Sequence, residues 1–258
     1  MIHKVKRAGG LSSAWFRRVR SPWTVAAAVA VVLVAAACVP PPPPPPSCSG
    51  CKVYLTFDDG PSVYTPQILS ALQTKGVPAT FFVVGQNAVQ HPSFLQQEHA
   101  AGEGIGNHTW DHTDLTTLSS TQVRSELQST SDEIANLTGN RPSLWRPPYG
   151  AFNDQVTQIA SSLGLSMRLW DVDPADFNRP GVDAIVNGVV NNVSNGAIVL
   201  LHDGSPGDNE DRSQTVAAVP QIIDTLRAAG YSFGSLATVS GAATPNAPTG
   251  PPVPIGPE

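Results

Sequence analysis

No acidic residue occurs before Asp58 in this chain of 258 residues, and charged residues of either sign make up only 14% of it. So little charge excludes an intrinsically disordered chain, which stays extended by carrying much charge and few hydrophobic residues. Hydrophobic residues reach 41%, enough for a core. The formal net charge of −5 hides a division by position. Lys4, Lys6, Arg7, Arg17, Arg18 and Arg20 all precede residue 21, so the nine remaining Lys and Arg face twenty acids and that remainder carries −11. A surface of that sign does not attract nucleic acid or anionic lipid, and no nucleic-acid partner is expected.

Also missing is an apolar run of the ~20 residues that a membrane-spanning helix needs. The run that does occur, Thr24 to Ala37 (TVAAAVAVVLVAAA), follows the basic N-terminus and ends in small residues. That is the grammar of an export signal; an N-terminal anchor is the alternative, and the run is short for it. Cysteine is scarce: Cys38, Cys48 and Cys51. Val34-Ala-Ala-Ala-Cys38 resembles a bacterial lipobox, in which the Cys is lipidated, although Ala35 stands where Leu is more usual. Ordinary cleavage after an Ala-x-Ala is the other option. In an exported protein, Cys48 and Cys51 then read as a disulfide. Pro40 to Pro46 is an unbroken proline run, a stiff spacer of ~3 Å per residue. The expected organisation is an export signal over 1–38, a Pro-rich linker over 39–51, one domain over 52–239, and a disordered Pro/Gly-rich tail over 240–258. The protein is expected outside the cell, either lipid-anchored on the outer membrane face or secreted. Membrane contact is expected only through the signal or lipid, and the state is monomeric.

Within the domain, β-rich runs alternate with helical periodicity. Val53–Phe57, Thr80–Val84, a short segment through Ile105, Ser143–Arg146, Met167–Trp170, Ile198–Leu201 and Tyr231–Phe233 read as strands. Thr65–Thr74, Ser120–Leu137, Asp154–Leu163, Val182–Val193 and Thr215–Ala229 read as helices, several closed by a glycine: Gly76, Gly139, Gly164 and Gly230. Repeated strand–helix units imply an α/β fold with a parallel sheet, and seven of them point to a barrel, whose chemistry collects at the C-terminal strand ends.

The reactive residues lie there. Asp58 and Asp59 end the first strand, and adjacent carboxylates repel unless a cation sits between them. Gly60-Pro61 turns the chain so that both could face one pocket. His108 and His112, four apart after the third strand, could share a metal from one helical face or one tight loop. Arg146-Pro-Pro-Tyr149-Gly follows the fourth, where a rigid Tyr149 N–H could stabilise an oxyanion. Trp170-Asp-Val-Asp173-Pro-Ala-Asp176-Phe177 follows the fifth, and Leu200-Leu-His202 closes the sixth. Each alone has a plainer reading: a solvated turn, unrelated surface histidines, a proline turn with a packed arginine, a structural histidine. Five in order, each at a strand end, do not.

Together TFDDGP, HTWDH, RPPYG, DPADF and LLH resemble the five motifs of the polysaccharide deacetylases, the NodB-homology group also called carbohydrate esterase family 4. The resemblance runs from about Lys52 to Leu236. It implies a distorted (β/α)7 barrel, a polysaccharide substrate and one divalent metal, usually zinc, with cobalt as an option. It also implies roles: Asp59, His108 and His112 as metal ligands, Asp58 as general base, and His202 as general acid. Arg146 would hold Asp58, and Asp173 would pair with His202. The Tyr149 N–H would be the oxyanion donor. Leu200, Phe177 and Trp170 would line the substrate pocket, Phe177 standing where the family usually has Trp. The implied reaction is acetyl removal from N-acetylglucosamine in peptidoglycan or chitin-like polymer. Acetylxylan esterase is the alternative, and a non-catalytic glycan binder is disfavoured because no motif residue is lost.

Overall fold

A computed structural model describes residues 47–236. The expected export signal, Cys38, the proline run and the tail from Ser240 lie outside those residues. Seven strands are present: β1 Lys52–Asp58, β2 Thr80–Val83, β3 Gly104–Asn107, β4 Leu144–Trp145, β5 Ser166–Met167, β6 Ile198–His202 and β7 Ser232–Phe233. The helices are α1 Thr65–Lys75, α2 Gly85–Gln90, α3 Pro92–Ala100, α4 Ser120–Thr138, α5 Asp154–Ser162, α6 Val182–Val190 and α7 Ser213–Ala228. All pairings are parallel, in the order β5-β4-β3-β2-β1-β6, and β7 pairs with Lys52 and Val53 at the start of β1.

The ring closes irregularly. Beyond β5 the chain returns to β6, where the Asp171 and Val172 amides donate to the Ile198 carbonyl at 2.9 and 3.1 Å. The Leu200 amide donates to the Val172 carbonyl at 2.9 Å, forming an isolated parallel bridge. The result is a distorted (β/α)7 barrel.

Strand alternation divides the two faces of the wall. Val53, Leu55 and Phe57 of β1 are buried under the helices with Ile68, Leu72, Ile222 and Leu226. Burying each of these side chains contributes about 1.5–3 kcal/mol. The opposite parity points Thr56 and Asp58 inward, where Phe82, Leu144 and Leu236 form a separate buried cluster. Helix ends follow local chemistry. Ser119 and Gln122 form a reciprocal capping box on α4, and the Asn153 side chain caps α5 by accepting from the Val156 amide at 2.9 Å. Cys48 and Cys51 are joined, and the Cys48 amide donates to the Ala229 carbonyl at 2.8 Å, tying this segment to the end of α7.

Two features differ from the sequence expectation. α2 and α3 were not anticipated, because in α3 only Leu95 and Glu98 are buried, and a carboxylate at a core position breaks the apolar period. β4 and β5 are two residues each, shorter than Ser143–Arg146 and Met167–Trp170: Pro147 and Pro148 have no N–H to extend β4, and the Arg146 side chain takes the Arg168 and Leu169 carbonyls beyond β5. No helix among the described residues is long and apolar enough to cross a membrane.

Candidate active site

Asp58 ends β1 with its side chain inside the barrel, and alternation would send Asp59 outward. Instead Asp59 adopts φ 70°, a left-handed conformation that swings its carboxylate into the same pocket. Gly60 is required beside it, since a Cβ there would lie 2.1 Å from the buried Asp203 carboxylate. The His108 to His112 segment is a tight loop, with Thr109 and His112 at φ 67° and 66°. Asn107 fixes it: its Oδ1 accepts from the Thr109 amide at 2.8 Å, while its Nδ2 donates to the Leu127 carbonyl and to Ser131.

These turns bring Asp59, His108 and His112 together, with one donor atom from each lying within 4.8 Å of the others. Asp59 Oδ1 is 3.3 Å from Nε2 of His108 and 3.2 Å from Nε2 of His112. Those are the edges of a tetrahedron with bonds of ~2.0–2.1 Å, as zinc makes to nitrogen and carboxylate oxygen. The Nδ1 of His108 lies 2.8 Å from the Arg146 carbonyl; donation there leaves the Nε2 lone pair for a ligand. Asp59 Oδ1 is buried without a hydrogen-bond partner, as a carboxylate awaiting a cation would be. Burial alone would raise the Asp59 pKa, but the facing His112 and His108 hold it well below the usual range. Burial pushes His112 down to about 4, so it is neutral at pH 7. The donor set suits a divalent metal.

Asp58 faces the same pocket. Arg146, fully buried, donates from Nη1 to Asp58 Oδ1 at 2.6 Å and to Thr56 Oγ1 at 2.9 Å. Its Nε and Nη2 donate to the Arg168 and Leu169 carbonyls, both at 3.0 Å, and its guanidinium stacks 4.1 Å from the Phe82 ring centroid. All three nitrogens are engaged, so the charge that fixes Asp58 is itself immobile. A buried pair of this kind adds position more than stability.

Parallel pairing sets His202 of β6 directly beside Asp58. The sequence expectation for its partner needs correction. Asp176, not Asp173, holds His202: its Oδ1 lies 2.7 Å from His202 Nδ1, and its Oδ2 accepts from the His202 amide at 2.9 Å. Asp173 turns its carboxylate back to the Ala175 amide at 2.7 Å, and Asp171 accepts from the Ile198 amide at 2.8 Å. Ala175, at φ 53°, reverses the chain between the two candidates. Sequence offered three aspartates in six residues, and only the backbone path selects among them. Burial would depress His202, but Asp176 outweighs it and raises the pKa to about 9. The imidazole is therefore charged at neutral pH.

Aromatic rings flank these groups. Tyr149, 60% exposed at φ 59°, sets its ring edge-on 4.7 Å from His112. Phe177, 39% exposed, sits edge-on 5.5 Å from His202. Trp170 is half-buried, its ring 5.7 Å from the Arg146 guanidinium. Leu200 shares the inward face with His202, two residues on, and is buried opposite Thr56. Asp58, Asp59, His108, His112, Arg146 and His202 thus lie together, with Tyr149 beside His112 and Phe177 beside His202, while Asp173 does not make the contact with His202 expected of it.

This geometry can be set against known proteins. The sequence profile of the polysaccharide deacetylase family matches residues 48–168. A chitooligosaccharide deacetylase of Sinorhizobium fredii is 41% identical over 192 residues, covering 71% of this chain and 89% of the relative. The chain belongs to the polysaccharide deacetylases. Among them, a peptidoglycan-N-acetylglucosamine deacetylase of Bacillus cereus is 40% identical over 184 residues, covering 70% of this chain and 84% of that protein. The solved family 4 carbohydrate esterase of Streptomyces lividans, in complex with acetate, superposes with TM-score 0.69 at 38% identity. That match covers 78% of this chain and 100% of the esterase. The polysaccharide deacetylase fold also includes a pseudoenzyme from Bacillus anthracis, at TM-score 0.66 and 32% identity, over 72% of this chain and 63% of that one. Family membership alone does not make a catalyst, and the residues must carry that argument.

Proposed function

We propose that this polysaccharide deacetylase uses one divalent metal, zinc or cobalt, to remove N-acetyl groups from N-acetylglucosamine units of peptidoglycan or chitin-like polymer, with peptidoglycan ranked first. The observation that carries the reading is the convergence of Asp59, His108 and His112 within 4.8 Å, beside Asp58 and His202 on paired strands. A metal held by those three residues would supply Lewis-acid polarisation of the acetyl carbonyl and a lowered pKa for water.

The chain supplies the rest. Asp58, aimed by Arg146, takes the proton from the attacking water. The Tyr149 main-chain amide is assigned to the carbonyl oxygen as charge develops there. Leu200 receives the acetyl methyl, and Phe177 and Trp170 pack on the sugar. His202, charged and held by Asp176, delivers a proton to the departing nitrogen. An amide needs that proton more than an ester does, because a free amide anion is a far worse leaving group than an alkoxide. Asp176 beside His202 raises the imidazole pKa to about 9, so the acid still carries its proton at neutral pH.

The two named relatives point to N-acetylglucosamine polymers. An export signal, a lipid on Cys38 and a proline spacer would place the site just outside the membrane, within reach of the wall. Mass spectrometry of the membrane fraction tests that placement. For the reaction, acetate release is measured on purified peptidoglycan, N-acetylglucosamine oligomers and acetylated xylan. Release from the N-acetylated substrates supports the reading. Activity on acetylxylan with none on any N-acetylated glycan overturns it in favour of an esterase.

A further inference from the structure

Of the five consecutive residues Asp211–Thr215, which lead into and open α7, four engage the loops that carry the proton donor and its surroundings. Asp211 pairs with Arg179 Nη2 at 2.6 Å. Arg212, only 2% exposed, donates from Nε to the Gly204 carbonyl at 2.7 Å and from Nη1 toward the Phe177 carbonyl at 3.4 Å. The Ser213 amide caps back onto Asp211 at 2.8 Å. Gln214 accepts from the Gly181 amide at 2.7 Å. Thr215, 1% exposed, donates its hydroxyl to Asp176 Oδ2 at 2.6 Å.

The loop that receives these contacts has a short turn of its own, with the Asn178 and Arg179 amides donating to the Ala175 and Asp176 carbonyls at 3.1 and 2.9 Å, but its ends are strained. Ala175 and Arg179 bracket Asp176–Asn178 and both take left-handed conformations, at φ 53° and 54°. Residues other than glycine keep such conformations only where surrounding structure over-determines them. Here that surrounding structure is the end of β6 on one side and the first turn of α7, with the two residues before it, on the other. Within the loop, Asp176 must present Oδ1 to His202, so its carboxyl must not rotate. The Oδ2 atom is held by two donors, the His202 amide and the Thr215 hydroxyl. The first is a main-chain donor of β6, and the Thr215 hydroxyl ties the same oxygen to a second element, α7, so the carboxylate is gripped from two sides.

We propose that Thr215 is a positioning residue for the proton donor, acting through Asp176, with the first turn of α7 as the template that shapes the 175–181 loop. The proposal rests on the assignment of His202 as general acid. Without the hydroxyl, Asp176 turns about its Cβ–Cγ bond and the imidazole loses its fixed direction. The defect therefore falls on leaving groups that need a proton and spares those that do not.

The test compares the purified full chain with Thr215→Val, which keeps the shape and removes the hydroxyl, and Thr215→Ser, which keeps the hydroxyl. Two readouts are taken. The first is kcat on an N-acetylglucosamine oligomer against kcat on 4-nitrophenyl acetate, whose leaving group departs unprotonated. Thr215→Val should lose roughly tenfold or more on the oligomer with KM nearly unchanged, lose little on the aryl ester, and be restored by Thr215→Ser. The second is the His202 Nδ1 proton in the NMR spectrum without substrate. It should be protected and far downfield in the wild type and Thr215→Ser, and lost to exchange in Thr215→Val. An equal loss on both substrates, or an Nδ1 proton as sharp in Thr215→Val as in the wild type, overturns the proposal. If the wild type releases no acetate from any glycan, the proposed function falls, and the NMR comparison alone decides the role of Thr215.

Discussion

Nδ1 of His202 lies 2.7 Å from Oδ1 of Asp176, although Asp173 is only three residues away. Asp176→Asn should cost ~10²-fold or more in kcat on an N-acetylated oligomer, within the range that a general acid contributes. Asp173→Asn should cost only a few-fold. The His202 pKa is raised to about 9 chiefly by the Asp176 charge working against burial. Neutralising that charge lowers it, so the alkaline limb of the pH–rate profile should move to lower pH in Asp176→Asn. A larger penalty for Asp173→Asn would reverse the correction made above.

Metal and proton transfer should part cleanly by mutation. Chelator treatment should abolish acetate release and added zinc or cobalt restore it, with about one metal per chain by elemental analysis. Asp59→Ala and His108→Ala should lose that metal. Asp58→Asn should keep it near the wild-type level while losing turnover, because Asp58 is engaged by Arg146. Metal loss in Asp58→Asn would show that the two aspartates have exchanged roles.

Much of this site was legible because each reactive residue follows an apolar strand. TFDD and LLH announce their own position, and parallel pairing then puts Asp58 beside His202. The fold was legible for the same reason, wherever alternation was clean. What could not be read depended on backbone excursions and long-range contacts. The left-handed Ala175 decides between Asp173 and Asp176, and alanine carries no signal for that conformation. The Arg146 side chain, at the end of β4, takes the Arg168 and Leu169 carbonyls just beyond β5, partners 22 and 23 residues away in sequence. Thr215 lies some forty residues from Asp176 along the chain, a distance no local pattern bridges.

Glu98 concealed α3, and it should also weaken the fold. It is fully buried one turn from Leu95, and neither carboxyl oxygen has a hydrogen-bond partner. Burial, with Asp203 nearby, raises its pKa well above the ordinary value. An acid with a raised folded pKa contributes stability at low pH and forfeits it as pH rises. Glu98→Leu should therefore raise Tm by a few degrees (~2–4 °C per kcal/mol for a domain of this size), with a gain that grows between pH 5 and pH 8. Thermal melts across that range check it; a lower Tm at every pH would mean that the carboxyl is matched after all.

Glu103 gives a narrower pH window. Burial raises its pKa to about 7, opposed by the Ala79 amide that its carboxylate accepts. Its folded pKa exceeds the ordinary 4.5, so its stabilising contribution is full below pH 4.5 and lost as pH rises through 7. Glu103→Gln keeps an acceptor for Ala79 and should flatten the fall in Tm over that interval. An unchanged slope would place the ionisation elsewhere.

Arg146 bonds the chain just beyond β5 and orients Asp58, the base of the proposed reaction, with one guanidinium, so the fold and that reaction share a single point of failure there. That sharing restricts how a chain like this one could drift from enzyme to mere glycan binder. Loss of Arg146 strips Asp58 of its closest buried ion-pair partner and takes the side-chain donors from the Arg168 and Leu169 carbonyls, which endangers the domain along with its activity. Loss of Asp58 silences the chemistry, while the Arg146 bonds to Arg168, Leu169 and Thr56 still hold the wall. Silent descendants of this fold should therefore shed the aspartate first and keep the arginine.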